Sequence, residues 1–245
     1  MNYMKAEKMK VLLVATVQSH ICQFHKPLVA MLHEHGCEVH VAARNNLAEK
    51  NGLKLDFVEQ VFDVPFQRSP FSPKNLGAYK QLKKIIDEGN YDVVHCNTPV
   101  GGVVGRLAAR KARKRGTKVF YTAHGFHFYQ GAPKKNWLIW YPVEKFMCHY
   151  TDKLITITQE DYDLASAKFP TRVERIHGVG ANSAKYRKLS EAECLELRHE
   201  LGYADDDKLL LCTGELLPNK NQITAIRVMK ALIDQQPKAK LLLAG

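Results

Sequence analysis

The chain has 245 residues, 45% hydrophobic and 25% charged, with a formal net charge of +11. That length holds one large or two modest domains with a substantial core, and no apolar run approaches the length of a membrane span. The positive balance favours anionic partners, namely nucleotides, acidic lipid surfaces or nucleic acid. No helix-turn-helix, zinc-finger or RNP-type aromatic pattern accompanies it, so nucleic acid is not expected.

Taken in chain order, apolar strand-like runs alternate with helix-like segments. Lys10–Thr16 is a candidate first strand. It fits a buried strand better than a signal peptide, because the apolar run is short and leads straight into Gln18, Ser19 and His20. Phe24–His35 carries Leu28, Met31 and Leu32 at helical spacing and ends at Gly36. Further strands are expected at Glu38–Ala42, Val93–Cys96, Lys118–Thr122 and Lys153–Thr158, and further helices at Asn75–Glu88 and Gly101–Arg115. Strands with few polar positions, separated by helices, imply a parallel sheet covered on both faces. The expectation is therefore a doubly wound α/β domain over residues 1–183.

A second unit, 184–245, is expected to open with a helix whose N-cap is Ser190, running to about Leu201 and closed by Gly202. Strand Lys208–Thr213, helix Lys220–Gln236 and strand Lys240–Leu243 follow. So small a βαβ unit leaves an open strand edge and an uncovered face. The last residues, Leu241–Gly245, resemble a strand entering a glycine turn, so the chain is expected to stop inside a domain. Six cysteines occur without a C-x-x-C pair, and they read as small buried hydrophobes in a reducing compartment.

In open α/β sheets, ligands bind beyond the carboxyl ends of the strands. Four loops there are polar and rich in histidine: Gln18–His25, Asn97–Gly102, Ala123–Phe128 and Gln159–Asp161. Their convergence marks a cleft. His124 directly follows a strand and precedes Gly125. It would bond a sugar or a phosphate, or else cap the strand end. His127 lies three residues further on, but two histidines without a carboxylate or cysteine are weak support for zinc, and no metal is expected. His20 and His25 would contact an acceptor or stand on the surface. Gly101 and Gly102 would open a helix onto phosphate or let helix and strand pack closely. Near the end, the stretch GELLPNKNQ places Gly214, Glu215, Lys220 and Asn221 between a strand and a helix. There backbone N–H groups and an ammonium can face an anion.

Two segments suit an acidic surface. Arg106–Lys118 holds seven basic residues and no acid, either as a solvated face or as a contact for anionic lipid headgroups. Lys134 and Lys135 precede Trp137, Leu138, Ile139, Trp140 and Tyr141, a composition that suits either a membrane interface or core packing. Pro142 would interrupt a helix there or begin a new one.

Together these motifs resemble the family 4 glycosyltransferases of bacterial capsule and exopolysaccharide synthesis. The resemblance covers nearly the whole chain. It rests on KVLLVATVQSHICQFHKPLVAMLHEHGCEVHVAA, YDVVHCNTPVGGVVGRLAAR, VFYTAHGFHFYQGAP, TDKLITITQEDYDLA, IHGVGAN and TGELLPNKNQ. It implies a GT-B fold, with a complete amino-terminal Rossmann-like domain and an incomplete second Rossmann-like domain that binds nucleotide-sugar. It also implies retaining transfer of a hexosyl group from a nucleotide-sugar, a UDP-sugar, to a lipid-linked or glycan acceptor, without a metal or other cofactor. By match of motif, His124 would act at the donor sugar, Lys220 would neutralise the leaving diphosphate, and the loop from Thr16 to His25 would help bind acceptor and phosphate.

The resemblance further implies a cytoplasmic protein, peripheral at the inner face of the membrane. Glu215 departs from the pattern, since many relatives carry arginine there. The family's E-x7-E motif would lie downstream of Gly245, so this chain alone is expected to turn over poorly. Alternatives are a non-catalytic half-protein that binds acceptor or a partner chain supplying the rest, and a nucleotide-sugar epimerase, which can share the architecture.

Overall fold

The computed structural model describes residues 8–50, 52–180 and 186–245. Part of IHGVGAN (residues 181 and 182) and the expected 183/184 boundary lie outside them. The chain divides into two compact units, Met1–Gly180 and Ala181–Gly245.

The first unit is built on seven parallel strands: β1 (Lys10–Val17), β2 (Glu38–Arg44), β3 (Gln60–Asp63), β4 (Val93–Asn97), β5 (Lys118–Ala123), β6 (Lys153–Thr156) and β7 (Arg172–Arg175). Their order in the sheet is β3-β2-β1-β4-β5-β6-β7. Six helices connect them: α1 (Gln18–Phe24), α2 (Lys26–Glu34), α3 (Asn75–Gly89), α4 (Pro99–Lys114), α5 (Lys134–Met147) and α6 (Gln159–Lys168).

Strand β1 shows why both faces are covered. Successive side chains of a strand point to opposite faces. Leu12 and Val14 join one core cluster, with Val94, Cys96 and Ala108, whereas Val11, Leu13 and Ala15 join another, with Val39 and Val41. Leu12 and Leu13 are both fully buried, each contributing about 1.5–3 kcal/mol of apolar burial.

The structure adds elements where the sequence suggested none and moves others. Gln18–His25 is largely helix α1 rather than a loop. Its polar residues are satisfied internally: Ser19 N donates to Asn46 Oδ1 at 3.0 Å, and Asn46 Nδ2 donates to Ser19 Oγ at 2.9 Å. Gln159–Asp161 is the first turn of α6, capped where Asp161 N donates to Thr158 Oγ1 at 3.1 Å. Helix α5 runs through Pro142 without ending.

The basic run from Arg106 to Lys118 is not a uniform solvated face. Arg106 is fully buried; it donates from Nη2 to Glu144 Oε2 at 2.8 Å and from Nε to Gly102 O at 2.9 Å. Arg113 forks onto Asp152, and Arg115 reaches Asp87. The tryptophans pack inward: Trp137 lies 5.6 Å from Phe128 and Trp140 5.3 Å from His127, between ring centroids.

The second unit consists of α7 (Glu191–Glu200), β8 (Lys208–Thr213), α8 (Gln222–Leu232) and β9 (Ala239–Ala244). Helix α7 starts with a capping box, Ser190 Oγ accepting from Glu193 N and Glu193 Oε2 from Ser190 N. Strands β8 and β9 pair in parallel as a two-stranded sheet. Leu211, Leu216 and Ile223 are more than half exposed, at 66%, 68% and 53%, so apolar surface of this unit stands uncovered. All six cysteines are free, and Cys22, Cys37, Cys96 and Cys148 are buried. Cys194 is instead exposed, because α7 packs little of its surface.

Candidate functional site

The order of the sheet reverses at β1. The chain moves outward through β2 and β3, then returns to place β4 on the other side of β1. Such a switch point opens a crevice beyond the carboxyl ends of the two strands. The residues gathered there are His20 and His25 from α1 and its C-cap, Asn97 at the last position of β4, and His124 directly after β5.

One nitrogen from each of His20, His25 and His124 lies within 4.8 Å of the others. The rings of His20 and His124 meet edge to face at 4.7 Å, and those of His20 and His25 lie 5.2 Å apart. Asn97 Oδ1 lies 3.0 Å from His25 Nε2 and 3.4 Å from His124 Nε2. A carbonyl oxygen only accepts, so both rings donate from Nε2, and in the neutral form each keeps a lone pair on Nδ1. His25 Nδ1 and His20 Nε2 are buried and have no partner among the described residues. Asn97 is held in turn, donating from Nδ2 to His95 O at 3.3 Å.

All these rings are neutral at pH 7. Burial, with His124 and His25 nearby, pushes His20 down to about 3. Burial pushes His124 down to about 4, helped by His25. It lowers His25 too, against the opposing pull of Asn97 and of the His20 backbone carbonyl. His95, which bonds Thr122 Oγ1 at 2.8 Å, is held at about 3 by burial and by His25 and His124. Imidazoles this acidic are weak bases at neutral pH. Such rings can accept hydrogen bonds, and a buried lone pair left unpaired is costly. Among the described residues this trio is also where a metal's nitrogen ligands come close enough to share an ion, with no thiolate or carboxylate among them.

Other expected residues fall differently. Exposed His127 is not part of the trio and lies against Trp140. Thr16 is buried, its hydroxyl 2.7 Å from that of Thr98. Gly101 and Gly102 serve close packing: a Cβ on Gly102 would meet Tyr121 Cε2 at 2.5 Å, and one on Gly101 would meet Ala15 C at 3.0 Å. Asn97, expected as the first residue of a loop, is instead the last of β4, with α4 opening at Pro99, and sequence reasoning assigns neither it nor His95 a role. The available signal was their i, i+2 spacing at the end of an apolar strand, which puts both on one face.

In the second unit, Gly214 has φ +140°, a conformation that side-chain-bearing residues rarely adopt. The stem of Lys220 passes 3.7 Å from where its Cβ would be. Helix α8 begins at Gln222, not Lys220. Residues Pro218–Lys220 form a 3-10 turn, and Asn221 follows in the left-handed conformation. The N–H groups of Lys220 and Asn221 close that turn onto Leu217 O and Pro218 O, so they do not face outward as an anion cradle. The Lys220 ammonium is exposed, and Glu215 makes no ion pair with it among the described residues. Gln222 Nε2 ties the loop down through Gly214 O and Glu215 O, at 3.1 and 3.0 Å.

A parallel sheet with a polar, histidine-lined crevice at its switch point defines a Rossmann-like ligand-binding domain, the leading half of a GT-B fold. The chain belongs to the Glycosyl transferase 4-like family, whose pattern matches residues 10–158. It is 48% identical over 238 residues to EpsD of Bacillus subtilis (strain 168), which carries the name of a glycosyltransferase; the match covers 96% of this chain and 61% of that protein.

A more distant relative, 26% identical over 196 residues, is the Escherichia coli UDP-Gal:alpha-D-GlcNAc-diphosphoundecaprenol alpha-1,3-galactosyltransferase, covered over 50% of its length and 78% of this chain. The chain thus spans between half and about 60% of the curated relatives it matches. In fold it is similar to a glycosyltransferase from Rickettsia africae (TM-score 0.65, 13% identity, 98% of this chain and 69% of that one). Anabaena HepE in complex with UDP and glucose is also similar (TM-score 0.62, 17% identity, 97% and 70%). So is Staphylococcus aureus MnaA with UDP (TM-score 0.63, 16% identity, 96% and 62%). Among the described residues no helix is long and apolar enough to cross a membrane.

Proposed function

We propose that this chain carries the acceptor side, and the beginning of the donor side, of a retaining glycosyltransferase of exopolysaccharide synthesis. The donor is a UDP-sugar, and the acceptor is a sugar linked through diphosphate to a lipid. The observation that carries this reading is the set of neutral imidazoles at the switch point. His20 Nε2 and His25 Nδ1 have no partner among the described residues and half-buried His124 stands beside them, with Asn97 setting the tautomers of His25 and His124.

His124 orients the donor sugar at the reacting carbon, and Lys220 meets the negative charge that grows on the diphosphate as the glycosyl bond breaks. A fixed cation of this kind lowers a barrier by about 2.7–4 kcal/mol. No metal takes part. Two features support an acidic membrane surface as partner. Leu138 and Phe146 on α5 are 79% and 56% exposed, and Lys134, Lys135 and Lys145 of the same helix are exposed beside them. Amphipathic helices of this make-up lie in membrane interfaces. That partner implies a cytoplasmic location.

The likeness to EpsD and to the galactosyltransferase favours transfer, whereas a solved UDP-N-acetylglucosamine 2-epimerase of similar fold (TM-score 0.58, 16% identity, 96% of this chain and 63% of that one) favours a second reading in which the donor sugar is altered without an acceptor. One experiment separates them. The protein, expressed from its whole reading frame, is incubated with UDP-sugars, with and without a short-chain polyprenyl-diphosphate-linked N-acetylglucosamine. Products are read by mass spectrometry and NMR. A new glycoside with the donor's anomeric configuration is expected. An inverted product removes the retaining mechanism, and a changed UDP-sugar formed without acceptor selects the epimerase. Absence of any product, together with a co-purifying chain, selects the binding half-protein.

A further inference from the structure

Beside the histidine crevice the first unit encloses a second feature, a cavity of about 310 Å³. It is lined by Val17 of β1, Val100 and Val103 of α4, Phe126 and Phe128 of the β5–α5 loop, and Trp140 of α5. Its polar lining is small and largely engaged. The hydroxyls of Thr16 and Thr98 bond each other at 2.7 Å, and Glu144 is held by the buried Arg106.

A sugar carries nearly one hydroxyl per carbon, and each one buried here without a partner would be penalised. Hydrocarbon has no such need, and apolar surface favours it. The volume lies at the low end for small-ligand pockets. That is room for a short stretch of chain rather than a whole lipid.

Exposed His127 also lines it, its ring against Trp140, and among the described residues the one cation of the lining is Arg68. It is exposed and has no ion pair or hydrogen bond among the described residues. Nearby stands Phe71, 77% exposed, its ring centroid 6.2 Å from that of Trp140. An unpaired guanidinium on the wall of an apolar cavity matches an amphiphile with an anionic head. Guanidinium is suited to phosphate because its fork of N–H donors fits phosphate oxygens.

We propose that this cavity seats the hydrocarbon next to the phosphate of the lipid-phosphate acceptor, with Arg68 on the phosphate. This rests on the acceptor class given above. It adds a lipid subsite to the sugar-facing histidines: the cavity takes the chain's first carbons, Arg68 the head, and the crevice the sugar beyond it.

The test is calorimetric titration of the chain with decyl phosphate below its micelle concentration, beside decanol and inorganic phosphate. Saturable binding of decyl phosphate is expected, with inorganic phosphate not binding measurably and decanol binding more weakly. Val103→Trp or Val143→Phe, whichever keeps the wild-type melting curve, fills the cavity and lowers affinity at least about tenfold. Arg68→Gln, at an exposed position that does not threaten folding, lowers it about five- to tenfold and removes the preference over decanol. Three outcomes overturn the proposal: inorganic phosphate displacing decyl phosphate at equal concentration, a filled variant that binds like wild type, or Arg68→Gln without effect. The readout is independent of sugar transfer. A failed transfer assay with intact decyl phosphate binding therefore removes the enzymatic reading and leaves the subsite standing.

Discussion

Acidification tests the electrostatics of the site most sharply. His95 is buried and held at about 3, whereas in the unfolded chain a histidine titrates near 6.5. The folded form therefore resists a proton that the unfolded form accepts. Between pH 7 and 5 the unfolded state binds more protons, so stability falls as pH falls. For one such residue the loss over that interval is about 2 kcal/mol, obtained by integrating uptake at 6.5 against almost none in the fold. His20, His25 and His124 act in the same direction. Because His20 and His124 are partly exposed and the rings share one mutual repulsion, their losses are not added in full.

Asp161, raised by burial, opposes the trend. Asp152, where burial pushes the carboxyl up but hydrogen bonds from Arg113 and Val119 N outweigh it, and Asp87, held low by Arg115 and Lys83, lose their contribution only at lower pH. Both tryptophans lie in the first unit, so urea unfolding followed by tryptophan fluorescence reports that unit. A loss of at least about 2 kcal/mol from pH 7 to 5 is expected, with His95→Gln flattening the slope by about that amount. Stability unchanged or higher at pH 5 would refute the neutral-imidazole account.

Other perturbations bear on the frame around the site. Glu144→Ala strands the buried Arg106 guanidinium and is expected to cost about 3–5 kcal/mol in urea melts, while Arg106→Met with Glu144→Leu recovers most of it; a single-variant loss under about 1 kcal/mol would show that the pair carries little. Gly102→Ala drives a methyl into Tyr121, costing about 1–3 kcal/mol, visible as a melting point lower by several degrees; an unchanged melting point would mean that α4 shifts freely. Asn97→Asp places a carboxylate by His25 Nε2 and raises that imidazole by about 1–3 pH units, read from its ring carbon–proton NMR signals. A His25 titration in that variant that stays where the wild type has it would break the assigned hydrogen bond.

The central strands were legible because burial on both faces leaves an apolar run that other structures rarely produce. β1, β2, β4 and β5 all carry it. The edge strands were not. β3 reads QVFD and β7 reads RVER, four residues each and largely unburied, so no periodicity separates them from loops. Helix α1 looked like a loop because its polar residues are satisfied by Asn46 and the Ala43 carbonyl, partners more than twenty residues away.

The same distance hid Arg106. Its acid lies 38 positions on, and a run of basic residues read alone suggests solvent. At the site, the placement of His124 after a strand was readable, since strand ends are where ligands bind. The gathering of His20, His25 and Asn97 around it was not, because it depends on β4 lying beside β1 rather than beside β3. Near Lys220 the motif was legible but its geometry was not. The left-handed Asn221 delays the helix to Gln222, and the N–H groups of Lys220 and Asn221 close a 3-10 turn.

The most direct measurement of the central claim is turnover by the protein expressed from its whole reading frame, with His124→Ala compared against His149→Ala, an exposed histidine outside the crevice that bonds Phe146 O. With both variants matched to wild type in melting temperature, His124→Ala is expected to lower kcat by about 100- to 1,000-fold, and His149→Ala to leave it within about threefold. Retention of near wild-type kcat by His124→Ala would contradict the assignment of the switch-point histidines to sugar transfer.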